Sequence, residues 1–405
     1  MPRLVVIGGG AAGFFCAVNA ARLHPALEVI IAEKGNRVLN KVRVSGGGRC
    51  NVTHACFEPA EMIKKYPRGT HFVKKAFHQF FTTDTIEWFS ARSVALKTEP
   101  DGRMFPVTDS SQTIIDCLLK EANRYGVQLL MNRDVATLDR DGDKWQLQFS
   151  NGERIIADYV CVACGGYPKA TMFEWLTKTG HSIEEPVPSL FTFNMPGNPI
   201  TKLMGVSVEK ALVRITGTKL AEEGPVLITH WGLSGPAVLR LSAWGARLLS
   251  AGQYTFTAIV NWLPEQNEQG LREQFQQLRF DMAKQKIVNK NPFGLPQRLW
   301  EYLLEQSGIK EDIRWADLPA AGQNKLVKNL CMQEFPVKGK TTFKEEFVTA
   351  GGIVLNEIDI NTMQSKKATG LFFAGEILDI DGITGGFNFQ NAWTTGHIAA
   401  QGIAL

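Results

Sequence analysis

The stretch that decides the fold is Leu4–Gly13, "LVVIGGGAAG". Leu4–Gly8 is a short apolar, β-branched run of the kind that forms a buried strand. Gly8, Gly10 and Gly13 satisfy G-x-G-x-x-G and stand where a helix would open over Ala11–Leu23. A second apolar run, "EVIIAE", comes next, and Glu33 closes it about 20 residues beyond the glycines. Strand, glycine turn, helix and second strand make a βαβ unit built for a dinucleotide. Gly8 allows the tight turn, Gly10 lets a pyrophosphate approach the backbone, and Gly13 lets the helix pack on the strand. The helix N-terminus, at Ala11 and Ala12, offers free N–H groups and a positive dipole end to phosphate. Glu33 is placed for ribose hydroxyls, and its charge would repel a 2′-phosphate, so the site favours FAD or NAD over NADP.

Composition sets wide bounds around this unit. With 405 residues, 44% hydrophobic and 21% charged, the chain has room for two or three domains. A net charge of +4 does not mark a nucleic-acid binder. Seven scattered cysteines with no secretory leader suit a reduced cytoplasmic chain, in which the sequon at Asn51 carries no meaning. No run of 18 apolar residues suggests a membrane span, and no Cys/His spacing suggests zinc.

Beyond Glu33, helices are expected near "HFVKKAFHQFF", "TDTIEWFSARS" and "DSSQTIIDCLLKEANRYG", the last with a serine cap and a glycine stop. From "VQLLM" to "ADYVCVA" the chain reads as strands separated by "RDGDK" and "SNGE" turns, a meander. The proline-rich "EPVPSLFTFNMPGNP" changes the character of the chain. Strand-like alternation then continues through "VSVEKALVRITGTKL" and "YTFTAIVNWLP", and a polar helical stretch runs from Pro264 to about Pro336. The expected organisation is a nucleotide domain over 1–190, a β-rich insertion over 191–263, a helical insertion over 264–336, and a return to the nucleotide domain over 337–405.

A second glycine loop, "VSGGGRCNVTH", stands after the βαβ unit, with no strand–turn–helix around it. With "YVCVACGGYPK" and "GLFFAGEILDIDGITGGFNFQNAWTTG", the chain resembles the flavoprotein class of glutathione reductase and amine oxidases. Adding "THWGLSGPAVLRLS" and "VTAGGI", it resembles more narrowly the bacterial flavoproteins called HI0933-like or BaiN-like, from Leu4 to Ala400. Two departures are His54, where asparagine is expected, and Cys164, where threonine is expected. The resemblance implies an α/β fold: a Rossmann-like FAD-binding domain of three-layer ββα type with an inserted β-barrel-like domain and a small helical domain. It implies non-covalent FAD, with NAD(P)H as reductant and a small organic molecule as hydride acceptor.

The second loop is then a second grip on the same FAD, from Ser45, Gly46 and Gly47 to Arg49, Cys50 and Asn51, with Arg49 as phosphate counter-charge. Lys34 and Lys41 join the cofactor candidates. Val135 is expected to meet adenine through its backbone, and Ala163, Cys164 and Gly165 form the turn after a strand. Gly375 and Glu376 sit near ribityl or phosphate, and Gly386, Phe387 and Asn388 open the last helix. A reduced flavin carries negative charge that such a helix N-terminus favours.

Other residues keep two readings open. Cys161 and Cys164 form C-x-x-C, but lie along a strand and its end, which favours structural thiols over a redox pair. Cys50 stands beside Arg49, which would lower a thiol pKa; a small residue in a packed loop is the plainer reading. His230 and Trp231 could line the substrate side, with His230 as proton donor, or could be a packed corner. Arg103 and Phe105 could cover the flavin or form a hairpin. An oxidase using oxygen, a flavoprotein acting on or binding tRNA or other nucleic acid, and an electron-transfer flavoprotein are the alternatives. The lysines of "MAKQKIVNKNP" and "GQNKLVKNL" would serve the nucleic-acid reading, but a solvated helix face accounts for them, so nucleic acid is not expected as a partner.

Overall fold

A computed structural model describes residues 1–341 and 348–403. The chain divides into two compact units, Met1–Pro188 with Val348–Leu405, and Ser189–Phe347. Among the described residues, no helix is long and apolar enough to cross a membrane.

The first unit is built on a parallel five-stranded sheet. Its strands are β1 (Arg3–Ile7), β2 (Glu28–Ala32), β3 (Gln128–Leu130), β4 (Tyr159–Val162) and β5 (Leu371–Phe373), in spatial order β5-β4-β1-β2-β3. β1 is central, and Leu4, Val5 and Val6 are fully buried, as expected of a parallel strand covered on both faces. The longest helices of this unit are α1 (Ala11–Leu23), α2 (Ser111–Arg124) and α3 (Phe387–Gly402). α2 begins as the sequence predicts, with Ser110 Oγ accepting from Gln112 N at 3.3 Å. The meander is present as Val135–Asp141, Lys144–Phe149 and Arg154–Ala157, paired antiparallel. Trp145 ties it to the loop before β5 by donating to Thr369 O at 3.2 Å. Parallel sheet, helices and meander are the layers of the ββα arrangement.

α1 and α3 cross closely because small residues face each other. A Cβ on Gly396 would lie 2.7 Å from Ala12 O, and one on Gly375 would lie 2.7 Å from the Ala12 methyl. Such contacts bring the end of β5 and the helix of the βαβ unit to one place.

The second unit holds a six-stranded antiparallel sheet in the order Phe193–Asn194, Gly232–Ser234, Ala221–Ile228, Ser207–Ile215, Thr255–Asn261, Gln333–Lys338. A further bridge between Phe193 and Lys340 links first strand to last, which nearly closes the sheet into a barrel. Helices Glu268–Asp281, Gln297–Gln306 and Ala320–Met332 share its core, in which Phe275, Trp300 and Leu326 cluster with Val213 and Val260. The helical stretch expected as a separate insertion thus packs with the β-rich part around one hydrophobic core. The border with the first unit falls at 347/348 rather than 336/337, because Gln333–Lys338 is the sixth strand. Residues 342–347 and 404–405, inside the expected 337–405 segment, lie outside the described residues.

Candidate functional site

The glycine loop after β1 has the geometry its spacing implies. Gly8 has φ +107°, and a Cβ there would lie 2.6 Å from Ala163 O. A Cβ on Gly13 would lie 2.0 Å from Gly8 O, so helix and loop touch through backbone. Gly10 differs, because a Cβ there would meet nothing within 4 Å. The first i→i−4 bond of α1 runs from Phe14 N to Gly10 O at 3.0 Å. The N–H groups of Gly10, Ala11 and Ala12 therefore precede the helical ladder. No side chain caps this end, and no acid stands in its first turn. It is a helix N-terminus open to an anion.

Glu33 lies at the end of β2 as predicted, and accepts from Gly9 N and Gly35 N, both at 2.8 Å. These bonds hold the carboxylate against the glycine loop. Arg133 N donates to Glu33 O at 2.8 Å, which sets the start of the meander, with buried Val135, beside the acid. Lys34 is exposed, with its ammonium 5.9 Å from the Tyr167 ring centroid.

The second loop runs at the end of a short helix, Asn40–Gly48, which is broken at Ser45, Gly46 and Gly47. Ser45 O accepts from Cys50 N at 3.0 Å and closes the turn. Space is open around Gly47 and Gly48, where a Cβ would meet nothing within 4 Å. Cys50 is buried at φ +62°, and burial pushes its thiol up to about 12. A buried, protonated thiol of this kind fits the plainer reading of Cys50 as a small residue in a packed loop. Arg49 is itself engaged: Nη1 lies 2.5 Å from Glu99 Oε1 and 3.5 Å from Asp109 Oδ1, with the guanidinium 4.0 Å over the Phe105 ring. Two carboxylates thus flank the guanidinium that the sequence offers as a phosphate counter-charge. Arg103 shares Glu99 at 3.0 Å, and lies 2.6 Å from Asp101.

The C-terminal run meets both loops. Glu376 accepts from Lys41 at 2.5 Å and from Thr349 N at 2.9 Å. Gly375 N donates to Thr395 Oγ1 at 2.8 Å. Gly386 sits at φ +93° with its Cα against the Thr53 carbonyl, where a Cβ would come within 2.6 Å. With its amide assigned from the surrounding donors and acceptors, Asn51 accepts from Gly386 N at 2.9 Å and donates to Thr53 O at 3.0 Å. Phe387 stacks on His54, whose Nδ1 lies 3.0 Å from Gly385 O. Asn388 clasps Gly382 through both its N–H and C=O at 2.8 Å.

Several residues that hold this assembly carry no motif in the sequence. Arg68 grips buried Asp381 through two nitrogens. Tyr66 donates to Phe387 O at 2.6 Å, and Ile383 N donates to Lys65 O at 2.9 Å. Gln390, fully buried, accepts from Thr53 at 2.6 Å and Thr85 at 3.0 Å, and donates to Thr394 at 3.1 Å. Trp393 donates to Val52 O at 2.9 Å. The sequence hints at these only through the polar cluster "NFQNAWTT" inside an otherwise apolar helix.

Cys161 and Cys164 are free thiols. A hydrogen bond with Cys16 and burial raise the Cys161 pKa well above a normal thiol, and burial pushes Cys164 up to about 11. Thiols protonated at neutral pH fit the structural reading. Ala163 N donates to Ile7 O at 2.8 Å, so Ala163, Cys164 and Gly165 continue from β4 directly behind the Gly8 turn. His230 and Trp231 belong to the inserted unit, in a tight turn where Thr229 Oγ1 accepts from Trp231 N and Gly232 N, both at 3.2 Å. Among the described residues, no cluster of His, Cys, Asp or Glu is arranged for a metal ion.

FAD fits the residues present. Open volume stands before Gly10, Gly47 and Gly48 where any side chain would intrude. The side-chain oxygen of buried Asn391, on the helix face of Thr395, has no partner. A dinucleotide with two phosphates and a polar ring suits an anion-ready helix end with a second glycine loop.

Comparison with known proteins agrees with this geometry. The model of the HI0933-like protein Rossmann domain matches residues 2–402. A 3-dehydro-bile acid delta(4,6)-reductase of Clostridium scindens is 28% identical over 100% of this chain and 99% of its own. A ribosomal RNA dihydrouridine synthase of Escherichia coli (strain K12) is 31% identical, over 98% of this chain and 96% of its own. In fold, the chain is similar to a flavocytochrome c3 fumarate reductase in its open conformation, with TM-score 0.54 and 18% identity over 99% of this chain and 78% of that one. The chain belongs to the HI0933-like Rossmann-domain family and is an FAD-dependent oxidoreductase.

Proposed function

We propose that the protein is a reductase that adds hydrogen across a carbon–carbon double bond conjugated to a carbonyl, drawing hydride from NADH or NADPH. The observation that carries this reading is that two full-length relatives with different substrates are named for one kind of change. A delta(4,6)-reductase of a 3-dehydro acid and a dihydrouridine synthase both saturate a C=C bond polarised by a carbonyl. FAD, when bound, supplies the hydride. The chain's own residues bind and orient it: the N–H groups before Phe14, the loop from Ser45 to Asn51, and the start of α3.

Hydride adds to the carbon β to the carbonyl, and a proton must reach the α carbon. His230 is our candidate for that acid, with Trp231 beside it. Arg103, held by Asp101 and Glu99, is a charged group able to turn toward a carbonyl oxygen. No second G-x-G-x-x-G is present, so the nicotinamide nucleotide would approach the bound flavin without a second dinucleotide fold to hold it.

The test is anaerobic titration of the yellow protein with NADH and then NADPH, completed by addition of 2-cyclohexenone. Bleaching by one nucleotide and recovery of colour with the enone are expected. Bleaching that only oxygen reverses would replace the reductase reading with an oxidase. No bleaching by either nucleotide would remove nicotinamide from it.

A further inference from the structure

We propose that the inserted unit carries a docking face for single-stranded RNA, centred on Phe280, Lys284, Lys286 and Lys290 and continued by Arg298 and Lys202. This rests on the reductase reading for its purpose, since it names a uridine-containing RNA as the substrate brought to the protein. The face itself stands on charge and exposure.

The formal surplus of +4 lies entirely between 189 and 347, the rest of the chain being balanced. From Met282 to Trp300 the sequence contains Lys284, Lys286, Lys290 and Arg298 and neither Asp nor Glu. All four are exposed. Unlike Lys210, which pairs with Glu265 and Glu223, none of the three lysines forms an ion pair among the described residues. The carboxylates on the opposite strand of the Lys286–Arg314 bridge, Glu311 and Asp312, leave them unpaired.

Side-chain bonds to backbone carbonyls make the face continuous. Arg298 donates to Lys202 O at 2.7 Å, and neighbouring Gln297 donates to Val288 O at 2.9 Å. A solvated helix face does not account for these lysines, because the stretch is a loop and a 3-10 turn, Ile287–Asn289, anchored by Trp300 Nε1 to Ile287 O at 3.0 Å.

At its edge stands Phe280, 81% exposed, while its helix buries Leu271, Phe275 and Leu278 on another side. Cations that track a phosphate backbone beside an aromatic ring free to stack on a base are the two elements of a single-strand site. A lipid surface would ask for a broad apolar face, and here one ring is exposed.

The experiment uses the full-length FAD-loaded protein and a fluorescein-labelled uridine-rich single-stranded RNA, with anisotropy read across a KCl series. Binding should weaken linearly in log–log form. In K284Q/K286Q/K290Q the slope should fall by about 0.7 for each phosphate no longer neutralised, about 2 in all. Phe280→Ala should weaken binding roughly tenfold with the slope unchanged. K74Q/K120Q/K178Q, three exposed lysines of the other unit, is the matched control and should leave both quantities as they are. An unchanged slope in the triple variant, equal loss in the control, or tight binding to phosphatidylserine vesicles without RNA binding would each overturn the face. The enone assay on the same samples separates the two ideas. RNA binding without enone reduction leaves the face and removes the reductase reading. Enone reduction without RNA binding does the reverse.

Discussion

Gly10 and Gly13 are three residues apart in one motif, yet the structure gives their missing side chains opposite reasons. At Gly13 the neighbouring backbone would be 2.0 Å from a Cβ, whereas at Gly10 the space is empty of protein. Gly13→Ala should therefore cost stability by overpacking, about 1–3 kcal/mol, read as a lower urea midpoint. Gly10→Ala should fold within about 1 kcal/mol of the parent and lose FAD on gel filtration. Retention of full FAD occupancy by Gly10→Ala would remove the pyrophosphate from that position. Both glycines were legible from spacing, because strand, turn and helix are contiguous in the chain. The pairing of Arg49 was not. Its partners Glu99 and Asp109 are distant in sequence, and spacing carries no information about which anion claims a guanidinium.

α3 is where local reading fell short. Its start at Gly386 and Phe387 could be anticipated from glycines before an apolar helix, but not its interior. Gln390, Thr394 and Thr395 lie in a helix buried nearly all round, and their partners, Thr53, Thr85 and the Phe80 carbonyl, come from far upstream. Gln390→Leu keeps the volume and strands the Thr53 hydroxyl, while Thr85 keeps the Phe81 carbonyl as acceptor, a cost of about 1–3 kcal/mol for the buried group left unpaired. Thermal unfolding should shift accordingly, and the flavin should be held more loosely, because Thr53 also carries the carbonyl against Gly386. A variant as stable as the parent would mean that water satisfies that hydroxyl. The same helix contains His397, stacked on Phe80 at 4.3 Å with Nδ1 unpartnered. Burial holds its pKa down at about 4, and likewise that of His181, against an ordinary 6.5. The unfolded chain then binds more protons than the folded one between those values. Stability is complete above about pH 6.5 and falls as pH drops toward 4. His397→Phe should flatten that decline in urea midpoints measured across the window. A parallel decline in parent and variant would assign the pH dependence to other groups.

At the scale of the molecule, the break after the proline-rich stretch was visible in the sequence, because composition changes there. The unity of the segment beyond that break was not visible. Alternation and helical periodicity identify which face of an element is apolar, but not what that face meets. Strands and helices between 191 and 337 share one core, and the sheet returns to its first strand through the Phe193–Lys340 bridge. A unit of this size with its own core and a nearly closed sheet buries most of the surface its unfolded chain exposes. The segment Ser189–Phe347 should therefore fold when expressed alone, colourless, with one cooperative urea transition and dispersed amide resonances. The open edge that a barrel avoids gives a second readout. Thr341→Pro removes the N–H that donates to Thr192 O at the closing bridge and should promote self-association of the excised segment while leaving most of its helical signal. A molten, non-cooperative segment would show that the core is completed only in the whole chain, and the two-unit division would then describe contacts rather than folding.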